Sequence, residues 1–115
     1  MKTTILISIL AVVWMTAHAQ DPVKTSPQYY KVLLENDQVR VLEYRLKAGE
    51  KEPMHSHPAG VVYVLSGGKV RFTSPSGESA EVELPAGASM WRKAEEHATD
   101  NIGTTEVHAL FFEPK

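Results

Sequence analysis

Residues 49–67 read GEKEPMHSHPAGVVYVLSG. His55 and His57 stand two apart in it. In an extended chain, positions i and i+2 project to the same face, so the two imidazoles converge. On a helix the same spacing would splay them. Pro53 and Pro58 bracket the pair, which excludes the interior of a helix. Converging imidazoles suit a metal ion held at about 2.0–2.2 Å from each nitrogen. Taken alone, the pair does not separate a ligand set from a solvated loop. Val61 to Leu65 follows as an apolar run without helical period, and Ser66-Gly67-Gly68 closes it as a turn.

Outward from this stretch the chain repeats the same pattern. Tyr29 to Leu34 and Val39 to Lys47 read as strands, the second alternating Leu42, Tyr44 and Leu46 with Glu43 and Arg45. Lys69 to Thr73, Ala80 to Leu84, Ser89 to Arg92 and Glu106 to Glu113 continue the series. Turn signals separate them: Glu35-Asn36-Asp37, Ser74-Pro75-Ser76-Gly77, Pro85-Ala86-Gly87 and Asn101-Ile102-Gly103. Phe72 to Val82 reads as a hairpin with Gly77 at its tip. No segment carries a sustained helical period. Many short strands joined by regular turns make an all-β sandwich or barrel.

The first stretch is set apart. Lys2, the apolar run Ile5 to Met15 and the small residues of Ala17-His18-Ala19 make residues 1–19 a signal peptide, cleaved before Gln20. A membrane anchor is the alternative, but the run falls short of the roughly 20 apolar residues that span a bilayer. The expectation is an exported protein, periplasmic or secreted, with no membrane attachment after cleavage. Residues 20–28, with Pro22 and Pro27, read as an arm or linker, and 29–115 as one domain. Cysteine is absent, so no disulfide helps and the core carries the stability. The formal net charge is −2 with no basic stripe, which speaks against nucleic acid and anionic membrane as partners.

Of the five histidines, His18 falls in the leader. His97 lies far from His55 and His57 in sequence, with Asn101 four residues on, as a barrel lined from distant segments would need. Here the chain resembles the small single-domain cupins. Gly49, five residues, then His55-Ser56-His57 and the closing Tyr63-Val64-Leu65-Ser66-Gly67 match the first cupin motif. Gly87 and the span His97 to Asn101 match the second. The resemblance covers nearly all of 29–115. It implies a double-stranded β-helix, or jelly-roll barrel, one divalent metal on His55, His57 and His97, a small-molecule ligand or substrate, and a homodimer. The motif's Glu ligand falls at Gly60 or Val61, neither of which binds metal. Lys93-Ala94-Glu95 replaces the second motif's Pro-x-Gly.

Three neutral imidazoles without a carboxylate leave the ion its full charge and open positions. That set resembles the three-histidine cupin dioxygenases and accepts Fe, Zn, Mn, Ni, Cu or Co. Two functions follow: a metal-dependent dioxygenase, lyase or isomerase, or a non-catalytic module binding metal or a small ligand. The enzyme needs a further acid or base near the ion, for which Glu95, Glu96, Tyr63 and His108 are candidates. Each also has a plainer reading. Glu95 and Glu96, like Glu50 and Glu52, read as solvated loop acids. His108 reads as a hydrogen-bonded core histidine. Tyr63, Met90 and Trp91 read as core or pocket wall. Arg45 and Arg71 would face water unless turned to a substrate carboxylate. No nucleophile elbow, phosphate loop or helical His-Glu-x-x-His is present.

Overall fold

The computed structural model describes residues 19–115; residues 1–18, and with them nearly all of the expected signal peptide, lie outside the described residues. Nine strands form two antiparallel sheets. They are β1 Tyr30–Glu35, β2 Val39–Leu46, β3 Lys51–His57, β4 Gly60–Ser66, β5 Gly68–Thr73, β6 Ser79–Leu84, β7 Ser89–Arg92, β8 Glu95–Asn101 and β9 Val107–Pro114. One sheet runs β1-β2-β9-β4-β7 and the other β3-β8-β5-β6. The all-β double-sheet barrel expected from the strand pattern is the observed fold.

The period-2 alternation sets which side each residue takes. On β2, Leu42, Tyr44 and Leu46 point inward, and on β9 Val107, Ala109 and Phe111 do the same. The two strands pair without a break from Val39↔Pro114 to Leu46↔Val107, so their inward rows meet in one core with Val70 and Tyr30. Leu42, Leu46, Val64, Val70 and Val107 are essentially inaccessible. Each such burial stabilises the fold by about 1.5–3 kcal/mol before conformational entropy is counted. The hairpin turn stands as expected: β5 pairs with β6 from Gly68↔Leu84 to Thr73↔Ser79, and Gly77 takes φ +89°.

The arm before the barrel is more ordered than a linker. Pro22–Thr25 forms one helical turn, α1, and Pro27–Tyr29 a 3-10 turn. Asp21 caps α1 by accepting from the Val23 amide, and Pro22 occupies the first turn, where its missing N–H costs nothing. The arm is tied down at its start, at Gln20 and Asp21. The Arg40 guanidinium bonds Asp21 and Glu113 at 2.6 Å each. The Ser56 amide donates to the Gln20 carbonyl at 3.0 Å, bracing β3 between the two histidines. Among the described residues no helix is long and apolar enough to cross a membrane.

Candidate metal centre

β3 and β8 carry the site, and neither was among the expected strands. They pair antiparallel with His55 directly opposite His97 and His57 opposite Glu95. Alternation then turns His55 and His57 inward from β3, and His97, Thr99 and Asn101 inward from β8. The three histidine rings lie with centroids 4.6, 4.8 and 5.1 Å apart. One ring nitrogen from each lies within 4.8 Å of the others, and all three residues are buried.

Burial decides their charge. Desolvation holds His97 down to about 3 and depresses His55 and His57 as well, His57 most strongly. All three imidazoles are therefore neutral near pH 7, the form that ligates a cation. His55 Nδ1 donates to the Pro53 carbonyl at 2.7 Å, which fixes the tautomer and leaves Nε2 with its lone pair. That Nε2 and His57 Nδ1 are buried without a hydrogen-bond partner. Buried polar atoms normally have one. Phe72 stacks on His97 at 4.8 Å and 15°, and Phe111 meets His57 edge-on at 5.5 Å, so both rings are wedged in place. The residues could hold one metal ion.

Glu52 corrects the sequence reading. It is not a solvated acid but 1 % exposed. Tyr30 and Tyr44 donate to its two carboxylate oxygens at 2.7 and 3.0 Å. Its Oε2 lies 3.3 Å from His55 Nδ1. Burial pushes its pKa up to about 7, against the pull of the two hydroxyls. The cause is a β-bulge: the β3–β8 register shifts between Glu52 and His55, bringing residues three apart to the same side. Pro53, which cannot donate to a ladder, occupies the break.

The other candidates divide. Glu95 lines the cavity, with Oε1 3.4 Å from His97 Nδ1, and burial raises its pKa. Glu96, the next residue on β8, alternates to the opposite face. Tyr63 is 38 % exposed on the outer face of β4. His108 also faces away, bonded through Nε2 to Glu43 at 3.0 Å. Neither borders the cavity, because their strands present Val62, Val64, Val107 and Ala109 to it instead. Trp91 only touches its rim: it is 61 % exposed and lies beside Val61 on the outer face of β7. Asn101 closes a turn: its Nδ2 donates to the Leu46 and Thr105 carbonyls, and its Oδ1 accepts from the Gly103 amide. Arg45 and Arg71 pair outside the cavity with Glu106 and Glu81.

The missing carboxylate ligand has a steric explanation. A Cβ on Gly60 would run into the Phe112 carbonyl, and Val61 points outward beside Trp91 and Phe112. Opposite Gly60 on β7 stands Arg92, a buried cation the sequence reading missed. Its guanidinium carbon lies 4.5 Å over the Phe111 ring.

The fold is that of known proteins. A cupin domain from Bordetella pertussis shares 30 % identity over 75 % of this chain and 91 % of its own, with a TM-score of 0.68. The chain is a cupin. This cupin also superposes on a conserved protein with a double-stranded β-helix domain from Klebsiella pneumoniae, at 21 % identity, TM-score 0.58 and 72 % of each chain. The DMSP lyase of Ruegeria pomeroyi shares the fold at 18 % identity and TM-score 0.56, over 79 % of this cupin and 49 % of the lyase. Comparison with family models gives no match, and neither does comparison with curated proteins.

Proposed function

We propose that this cupin is an exported, metal-dependent enzyme acting on a small molecule, with one divalent ion held by His55, His57 and His97. The observation that carries the metal is the pair of buried, partnerless nitrogens, His55 Nε2 and His57 Nδ1, in a cluster kept neutral by its own burial. When bound, an ion on three neutral imidazoles would polarise oxygen ligands as a Lewis acid or lower the pKa of bound water. Dioxygenase, lyase and isomerase chemistry all draw on that property.

The chain's own residues supply the rest. A cavity of about 460 Å³ borders the histidines, of the size that takes a small ligand. Val62, Val64 and Phe111 give it an apolar wall. Glu52, poised near neutral pH, steadies His55 through its Nδ1 side and can hold a proton there. Glu95 offers a second carboxylate beside His97. An acid or base beyond the three histidines favours catalysis over passive binding. Export rests on the apolar run Ile5 to Met15 and the small residues before Gln20. The apolar outer face formed by Val61, Tyr63, Trp91 and Phe112 supports a homodimer.

The test is turnover. Protein reconstituted separately with Fe(II), Mn(II), Co(II), Ni(II) and Zn(II) is assayed for oxygen uptake with diketones, thiols and phenols, and for elimination from small carboxylates. The expected result is turnover with at least one pair, lost by more than 100-fold in His57→Ala with the fold retained. No turnover with any pair, in protein shown to bind metal, overturns the enzyme and leaves a binding module.

A further inference from the structure

Arg92 is nine-tenths buried and lines the cavity shared with the histidines, yet its charge is poorly spent. Neither Nε nor Nη2 donates a hydrogen bond. The nearest carboxylate oxygen, Glu113 Oε2, lies 3.8 Å from Nη2, beyond hydrogen-bond range. Glu113 is held off because its other oxygen is taken by Arg40 at 2.6 Å. The Arg92 charge is met only at longer range, by Glu113 and by the Phe111 ring under the guanidinium at 4.5 Å. A buried guanidinium ordinarily satisfies its fork with a carboxylate or phosphate.

Position fits this vacancy to a ligand. Gly60 faces Arg92 across the β4–β7 ladder, so no side chain from that position pairs with the guanidinium. Phe111 touches Arg92 on one side and the His57 ring on the other, so the cation stands one aromatic ring from the histidine cluster. The cavity's own carboxylates are committed elsewhere: Glu52 to Tyr30 and Tyr44, Glu95 beside His97. Much of the cavity wall is apolar, Val62 and Val64 among it.

We infer that Arg92 is the anchor for a carboxylate of a small anionic substrate, whose other oxygen-bearing end lies at the three histidines. The substrate class is a short dicarboxylate or an oxo or hydroxy acid, with two oxygen functions a few bonds apart. The anchoring of the far end rests on Arg92 alone; placement of the near end rests on the metal reading above.

Malonate serves as the probe and neutral malonamide as its control. Both are titrated calorimetrically into the Co(II)-loaded and the metal-free protein, with the visible Co(II) spectrum recorded alongside. Loaded wild type is expected to bind malonate at least tenfold more tightly than malonamide, with a spectral change. Arg92→Met is expected to keep its Co(II) and lose malonate affinity at least tenfold. Equal affinity in wild type and R92M, or malonamide binding as well as malonate, overturns the inference and leaves the metal site standing. If wild type takes up no Co(II), the metal reading fails, while malonate binding to metal-free wild type but not to R92M still supports the anchor. No malonate binding to either form overturns it. Should R92M not fold, Arg92→Lys decides: a weaker but retained affinity supports a guanidinium fork, and an affinity equal to wild type contradicts it.

Discussion

Four buried titratable side chains meet within one cluster, and they pull the fold's pH dependence in opposite directions. His55, His57 and His97 have folded pKa values below the unfolded value of 6.5. Below that pH the unfolded chain takes up protons that the folded chain refuses. Their stabilisation is therefore present above 6.5 and is lost as pH falls, by at most about 1.4 kcal/mol per pH unit for each proton. Glu52 runs the other way. Its folded value of about 7 exceeds the unfolded 4.5, so its contribution is complete below 4.5 and lost as pH rises through 7. Three groups outweigh one. The melting temperature of the metal-free protein, followed by circular dichroism, is expected to fall as pH drops from 6.5 to 4.5. His97→Gln flattens that slope by about one proton. Surface carboxylates such as Glu81, held down by its Arg71 bond, add to the loss only below that window. A melting temperature constant from 6.5 to 4.5 would show that the histidines are not buried neutral.

At the scale of elements, β4 and the two site strands carry the lesson. Gly60 on β4 lies against the backbone of β9: an added Cβ would collide with the Phe112 carbonyl and sit 3.2 Å from its carbon and 3.3 Å from the Glu113 Cα. Backbone on a paired strand cannot yield cheaply. Gly60→Ala is expected to cost about 1–3 kcal/mol or more, a drop of roughly 4–8 °C in melting temperature per kcal/mol. Gly60→Glu should fare no better and add no ligand; an unchanged melting temperature for G60A would contradict this packing. Seven strands were legible because apolar residues alternate along them, as Leu42, Tyr44 and Leu46 do, or run together between turns, as Val61 to Leu65 do. β3 and β8 were not, because their inward rows are Glu52, His55 and His57, and His97, Thr99 and Asn101. A polar interior face has no hydropathy signature, so the strands that build the site looked like loops. The i, i+2 spacing of His55 and His57 was the surviving trace. The same spacing runs through Glu95, His97, Thr99 and Asn101 and could have found β8. The bulge at Pro53 hid Glu52 by changing the phase, and the short β7 hid Arg92.

Across the whole molecule the barrel places distant segments around one cavity, closed by β9. Phe111 on β9 contacts Tyr30, Tyr44, His57 and Arg92. Arg40 fastens the N-terminal arm and the end of β9 through Asp21 and Glu113, and the arm in turn braces β3 behind the histidines. Every layer thus bears on the same three side chains, and their capacity to hold an ion is the central claim. Equilibrium dialysis of the purified protein against Co(II), followed by elemental analysis, tests it most directly. One ion per chain is expected in wild type, with a loss of at least tenfold in affinity in each of His55→Ala, His57→Ala and His97→Ala while circular dichroism shows the fold retained. Metal content that is sub-stoichiometric and equal in wild type and all three variants would contradict the account.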